Sequence, residues 1–323
     1  MIAALWQAGG ALWAGLWALL ALLWWWGLPK GKTRWLDRVY PALPLLVAGA
    51  WALAPAPAFV TLWLQAGLWF WLWLTVVWLI SLAKRDSSIM DIAFGLLMLA
   101  LPWWVQLHLG GLAEGSATLC LWLATLGFGR YSVYILWRNL PHGEDVRYAR
   151  WRERFGGRWW WWSYFQVFLL QGVVLWFWVL PMLLALSAPA SGMGPLQGVG
   201  AAVWALGFVF EAGGDWQLAR FKRTRQDRSQ LLNHGLWALT RHPNYFGQAC
   251  MGWGLAILAL AHPLGLWAVP AVLYQTWFMY QGSATSLMER HMARSKPGYA
   301  EYCERVPAFF PRLWPRRSPG DHA

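Results

Sequence analysis

Long apolar runs alternate with short polar stretches from one end of the chain to the other. A helix needs about 20 residues to cross a hydrocarbon core about 30 Å thick. Nine runs suit that length, at roughly 3–27, 40–54, 58–83, 88–108, 117–137, 164–186, 197–219, 244–261 and 264–282. The pattern predicts an all-α, polytopic membrane protein with about nine transmembrane helices. The first run is too long for the apolar core of a signal peptide and has no basic stretch before it, so it is expected to be a retained span.

The polar stretches divide by charge. Lys30, Lys32, Arg34 and Arg38 follow the first run, Lys84 and Arg85 the third, and Arg138 to Arg158 the fifth. Arg220 to Arg241 follow the seventh and Arg290 to Arg317 the ninth, whereas the turns at 54–58, 108–116, 187–197 and 260–265 hold no Lys or Arg. The positive-inside rule then puts the N-terminus outside and the C-terminus in the cytoplasm. With 59% apolar residues, the net charge of +12 is explained by this orientation and by attraction to anionic headgroups, so no nucleic-acid partner is expected. The 31 Trp read as interfacial belt and intramembrane packing. Three cysteines, Cys120, Cys250 and Cys303, have no metal-like spacing and predict neither disulfide nor metal site.

No repeat or linker divides the chain, yet the first 85 residues differ from the rest: their three spans lack Asp, Glu and His. Residues 1–85 are therefore read as apolar helices, and 86–323 as the region that carries chemistry within one integrated membrane domain. Ionisable groups at membrane depth are costly and tend to mark sites. Asp91 stands one turn into the fourth span, either as a first-turn carboxylate favoured by the helix dipole or as a site residue. Arg130 stands alone in the fifth span, a plausible partner for Asp91, with Tyr131 and Tyr134 beside it. Glu211 and Asp215 share one face of the seventh helix, so Arg residues or a ligand must offset their repulsion, and Gly213 and Gly214 leave room for a ligand or a second helix. Arg220 opens a basic run that suits orientation or phosphate binding.

The most specific local signal is Gly235-Leu236-Trp237-Ala238-Leu239-Thr240-Arg241-His242-Pro243-Asn244-Tyr245-Phe246-Gly247. Pro243 suits the first position of a helix, whose free amides would face the cytosol, and Arg241, His242 and Asn244 surround them with donors for phosphate or carboxamide. The Gly198-Val199-Gly200 start of a GxG run lacks the last glycine and lies in an apolar helix, so it is no dinucleotide fingerprint.

This string, with Trp253-Gly254 after it, resembles the bacterial membrane proteins related to steroid 5-alpha-reductase. The resemblance extends to Ile89-Met90-Asp91-Ile92-Ala93-Phe94-Gly95, to Gly143-Glu144-Asp145-Val146-Arg147-Tyr148 and to the tail from Gly298 to Pro311, and covers about 87–312. The Arg-His-Pro element alone is shared with membrane methyltransferases of the isoprenylcysteine type. The resemblance implies an NADPH-dependent oxidoreductase that reduces a carbon–carbon double bond conjugated to a ketone in an apolar, lipid or steroid-like substrate, in the inner membrane of a bacterium. By matched position Asp215 and Asn244 are similar to cofactor-contacting residues, Glu211 to a residue lining the cofactor pocket, and Gln248 stands where the reductases carry Glu. The expected cofactor-binding set is completed by Arg130, Arg138, Arg220, Arg241, His242, Tyr245 and Glu289. Asp91 with Tyr131 or Tyr134 stands in for the pair that polarises the enone. Two other classes remain open: an S-adenosylmethionine-dependent methyltransferase, against which the single Glu289 counts where paired Glu is the pattern, and a non-enzymatic lipid-binding protein.

Overall fold

A computed structural model describes residues 18–19, 21–22, 24–26, 42, 58–111, 114–139, 143–189, 193–227, 229–281 and 283–312. Most of the first expected span and all but one residue of the second lie outside the described residues. Among the described residues every regular element is helical. The main helices are α1 (Ala58–Lys84), α2 (Ile89–His108), α3 (Ser116–Asn139), α4 (Val146–Phe155), α5 (Trp159–Ser163), α6 (Leu170–Trp178), α7 (Leu180–Leu186), α8 (Pro195–Thr224), α9 (Pro243–Ala259), α10 (Ala268–Gln281), α11 (Ser283–Ser295) and α12 (Tyr299–Arg305).

Four of these, α1, α2, α3 and α8, are long and apolar enough to cross a membrane. A fifth crossing is possible where Val146–Trp178 meets Leu180–Leu186 at a 45° bend. The run expected at 164–186 is thus broken, and it includes a π-helical stretch, Tyr164–Leu169, between α5 and α6. Helices α9 and α10 are 17 and 14 residues long, about 26 and 21 Å, and fall short of the same length criterion.

The chain divides into two compact units, one of Met1–Gly110 with Ala124–Val179 and one of Gly111–Leu123 with Leu180–Ala323. The first unit packs through tryptophan. Trp63 and Trp176 stack with centroids 4.2 Å apart, and each indole donates to the other's backbone carbonyl, at 3.2 and 2.8 Å. These reciprocal bonds satisfy both indole N–H groups, which is how large aromatic rings can be packed inside an apolar helix pair. Gly67 makes room for this arrangement, since a Cβ there would meet Trp176 Nε1 at 2.8 Å. Deeper along α1, the Thr75 hydroxyl pairs with the Tyr164 hydroxyl at 3.0 Å, both buried.

The second unit packs through glycine. Gly200, Gly207 and Gly214 recur every seven residues on α8, and Gly247 and Gly254 repeat that spacing on α9. A Cβ on Gly200 would meet the Gly254 carbonyl oxygen at 3.0 Å, and one on Gly207 the Gly247 oxygen at 2.5 Å. One on Gly214 would meet Pro243 Cγ at 3.0 Å. As position rises along α8 its neighbour falls along α9, so the two helices are antiparallel. Small residues at the seam let the backbones touch, the means by which helices associate in a medium that supplies no hydrophobic drive.

Candidate functional site

The α8–α9 seam places a polar cluster at the first turn of α9. Pro243 occupies the first helical position, as its missing N–H permits. Glu211 and Asp215, one turn apart on α8, are only 5% and 6% exposed. The Asn244 side-chain amide donates to Asp215 Oδ1 at 3.1 Å, while Asn244 Oδ1 accepts from the Tyr245 backbone N–H at 3.1 Å. The close approach that Gly214 permits is therefore taken by the start of α9, and Gly213 faces Leu236. The Trp237 indole donates to the Gly214 carbonyl at 3.1 Å and fixes the loop before α9 against α8.

Arg241 faces Glu289 and the C-terminal segment. Its Nε and Nη2 reach Glu289 Oε1 at 3.0 and 2.9 Å, and its Nη1 donates to the carbonyls of Cys303 and Val306 at 3.2 and 2.9 Å. The guanidinium thus ties the loop to α11 and to the C-terminal segment. The backbone repeats the tie: Arg241 N–H donates to the Pro307 carbonyl and Arg312 N–H to that of Leu239, both at 2.9 Å. The buried Thr240 hydroxyl donates to the Phe309 carbonyl at 2.8 Å.

His242, also buried, places Nε2 3.2 Å from the same Glu289 oxygen and stacks on Tyr245 at 5.4 Å. The hydrogen bond from His242, and then those from Arg241, hold the Glu289 carboxyl below the usual carboxylate range although burial opposes them. Burial works against the Arg241 charge, but Glu289 more than restores it and raises the guanidinium pKa. Gln248 lies half-buried one turn after Asn244, and Arg220 is exposed over the Trp216 ring at 5.6 Å.

In the first unit a second cluster forms around Asp91. The cation that reaches it is Arg147, not the expected Arg130: Arg147 Nη2 lies 3.3 Å from Asp91 Oδ2. The hydroxyl that reaches it belongs to Tyr148, which donates to Asp91 Oδ1 at 3.2 Å. Both come from α4, whose N-terminus is capped by Asp145 through a 2.8 Å bond from the Arg147 N–H. Burial raises the Asp145 pKa, but its bonds from Arg147 outweigh that and hold it low.

Neighbouring Glu144 takes Arg152 with both oxygens, at 2.7 and 3.0 Å, and accepts from the Ser87 backbone N–H at 2.8 Å. That network locks α4 beneath the start of α2. Tyr131 packs edge-on against Phe94 at 5.4 Å, and Tyr134 lies beneath Arg130 and Arg138, with guanidinium carbons 5.0 and 5.7 Å from its centroid. Among the described residues no three His, Cys, Asp or Glu side chains gather to hold a metal ion.

Four or five helices long and apolar enough to cross a membrane, one of them with Glu211 and Asp215 buried toward its C-terminal end, mark a helical membrane protein. Residues 77–306, most of the chain, match the family described as "Protein of unknown function (DUF1295)", and the chain belongs to that family. The family lies within the steroid 5-alpha-reductase-like superfamily. Over 83 residues the chain is 36% identical to the cobalt-zinc-cadmium resistance protein CzcN of Cupriavidus metallidurans. That stretch is 26% of this chain and 36% of the relative, so the chain spans little more than a third of that protein's length. No solved structure matches.

Proposed function

We propose that this chain is a membrane-embedded NADPH-dependent reductase of a carbon–carbon double bond conjugated to a ketone in an apolar substrate. The observation that carries the reading is the pairing of half-buried Asn244 with buried Asp215 at the packed N-terminus of α9, with Glu211 one turn away. A carboxylate and a carboxamide side by side present the acceptors and donors that suit ribose hydroxyls or a nicotinamide carboxamide, and the first-turn amides of α9 add partial positive charge. Arg220, Lys222 and Arg223 at the end of α8 supply the cationic groups for phosphates, a task for which Arg241 is already engaged.

NADPH, when bound, supplies the hydride that reaches the β carbon of the enone. The chain's own part is to orient cofactor and substrate and to stabilise charge that develops on the ketone oxygen. In the first unit half-buried Asp91 and buried Tyr148 provide the carboxylate and hydroxyl such an oxygen needs, in place of the pairing of Asp91 with Tyr131 or Tyr134.

A second reading follows from the same geometry. Arg241 is taken by Glu289 and the C-terminal segment, so the acidic side chains Glu211 and Asp215 beside the α9 terminus suit a sulfonium as well as a dinucleotide. S-adenosylmethionine is therefore the competing cofactor. Calorimetric titration of the detergent-purified protein with NADPH, NADH and S-adenosylmethionine separates the two. NADPH binding supports the reductase, and binding of S-adenosylmethionine alone overturns it.

A further inference from the structure

One face of α9 continues past Asn244 with polar groups that neither cluster uses. Asn244, Gln248 and Gly252 follow one another at intervals of four and so line one side of the helix over about 12 Å. Gly252 has no side chain, and an amide from α10 takes the space it leaves. A Cβ on Gly252 would overlap the Gln275 carboxamide, meeting its oxygen first and its carbon at 3.0 Å. Gln275 therefore stands at the level of Gly252, one turn beyond Gln248.

The position of Gln275 is unusual for an amide. It lies midway along α10, only 8% exposed, on the buried face formed by Ala268, Ala271, Val272 and Met279. Leu273, Trp277 and Tyr280, on the opposite side of the same helix, are the exposed ones. The next residue shows how a polar group is ordinarily accommodated here. The Thr276 hydroxyl donates to the Val272 carbonyl at 2.8 Å and accepts from the Trp253 indole at 3.0 Å. By contrast, the side chains of Gln248 and Gln275 make no hydrogen bond among the described residues. Each keeps two N–H donors and a carbonyl acceptor, and a buried amide left so is costly.

We infer that Gln248 and Gln275 bind the hydroxyl or carbonyl group of a long-chain, lipid-like ligand. The carboxamides recognise the oxygen, and Ala271, Val272 and Met279 around Gln275 select an apolar body to carry it. The site lies wholly within the second unit and needs no cofactor, so it stands or falls separately from the NADPH reading.

The test uses the full chain carrying nitrogen-15 glutamine, free of cofactor, in a detergent whose head has no hydroxyl group. 1-Dodecanol and, separately, dodecane are titrated in, and the side-chain amide resonances of Gln248 and Gln275 are followed by NMR. Each is assigned by its loss in Gln248→Met or Gln275→Met. Dodecanol should shift both resonances to saturation, and dodecane neither. Gln275→Met, read at Gln248, should weaken dodecanol binding about fivefold, the loss of one neutral hydrogen bond, and Gln248→Met, read at Gln275, should do the same. The thermal midpoint of Gln275→Met should hold or rise, because an apolar chain of equal length replaces an amide without a partner. Gln281→Met, at the exposed end of α10, should change binding less than twofold. Equal shifts from dodecane, unaltered dodecanol affinity in both variants, or an equal loss in the Gln281 control overturns the site. A lowered midpoint in Gln275→Met with unaltered dodecanol affinity also overturns it, since the amide is then a packing group only.

Discussion

Gly207 and Gly247 meet so closely that a methyl group on Gly207 would lie 2.5 Å from the Gly247 carbonyl oxygen. This contact sets how far α9 slides along α8, and so fixes Asn244, about one turn from Gly247, beside Asp215, about two turns from Gly207.

The neighbours of that methyl group are the Gly247 oxygen, the Met251 nitrogen and the Cys250 Cβ, none of which can swing aside. Gly207→Ala should therefore separate the helices, cost about 1–3 kcal/mol and lower the thermal midpoint in detergent. Gly198→Ala on the same helix, where a Cβ meets nothing within 4 Å, should leave the midpoint unchanged or raise it. Equal losses at both positions would show that the seam is not the constraint.

Arg241→Ala should act on the C-terminal segment before it acts on a ligand. The substitution leaves Glu289 without its guanidinium and the carbonyls of Cys303 and Val306 without their donor, a loss of about 2 kcal/mol or more. Hydrogen exchange should quicken over 299–312 while α8 remains protected. Unchanged exchange in that segment would remove the clamp from this account.

The Glu289 carboxyl also predicts an acid response. Its folded-state pKa lies below the unfolded one, so its contribution to stability is complete above the ordinary Glu value and disappears as pH falls through the lowered value. Thermal midpoints of the wild type should drop steeply below about pH 4.5. Glu289→Gln should start lower at neutral pH and show a shallower acid slope. Parallel curves for the two proteins would contradict the assignment.

Tyr148→Phe removes the hydroxyl that donates to Asp91 and should destabilise the first unit by about 1 kcal/mol, as loss of one buried hydrogen-bond donor does. Differential scanning of the wild type and the variant reads the loss directly, and an unchanged midpoint would contradict it.

Much of the α9 cluster was legible because its signal is local. Pro243 marks the helix start by its own chemistry, and the four-residue spacing of Glu211 and Asp215 places both on one face without any tertiary knowledge. The length of the apolar runs likewise predicted α1, α2, α3 and α8. The partners of Asp91 were not legible, because Arg147 and Tyr148 lie 56 and 57 residues away, in a segment that read as a basic loop after a span. A signal was available there: Asp145 two residues before Arg147 is a good N-cap, and it announces the short amphipathic helix that carries both residues. The partners of Arg241 were hidden for a related reason. Exposed arginine near a helix N-terminus suits phosphate, and only the fold reveals that Glu289 and two distant carbonyls already hold it. The bend and π-helix within 164–186 leave no mark in an apolar run, since every residue in it tolerates lipid.

Equilibrium titration of NADPH against the purified wild type and the Asp215→Ala and Asn244→Ala variants, in one detergent and at one pH, bears most directly on the central claim. The wild type should bind NADPH in preference to S-adenosylmethionine. Each variant, if its thermal midpoint shows it folded, should bind NADPH about ten- to a hundredfold more weakly, the loss expected for a hydrogen bond involving a charged group. Undiminished NADPH affinity in both folded variants, or a wild type that takes up S-adenosylmethionine and not NADPH, would contradict the account.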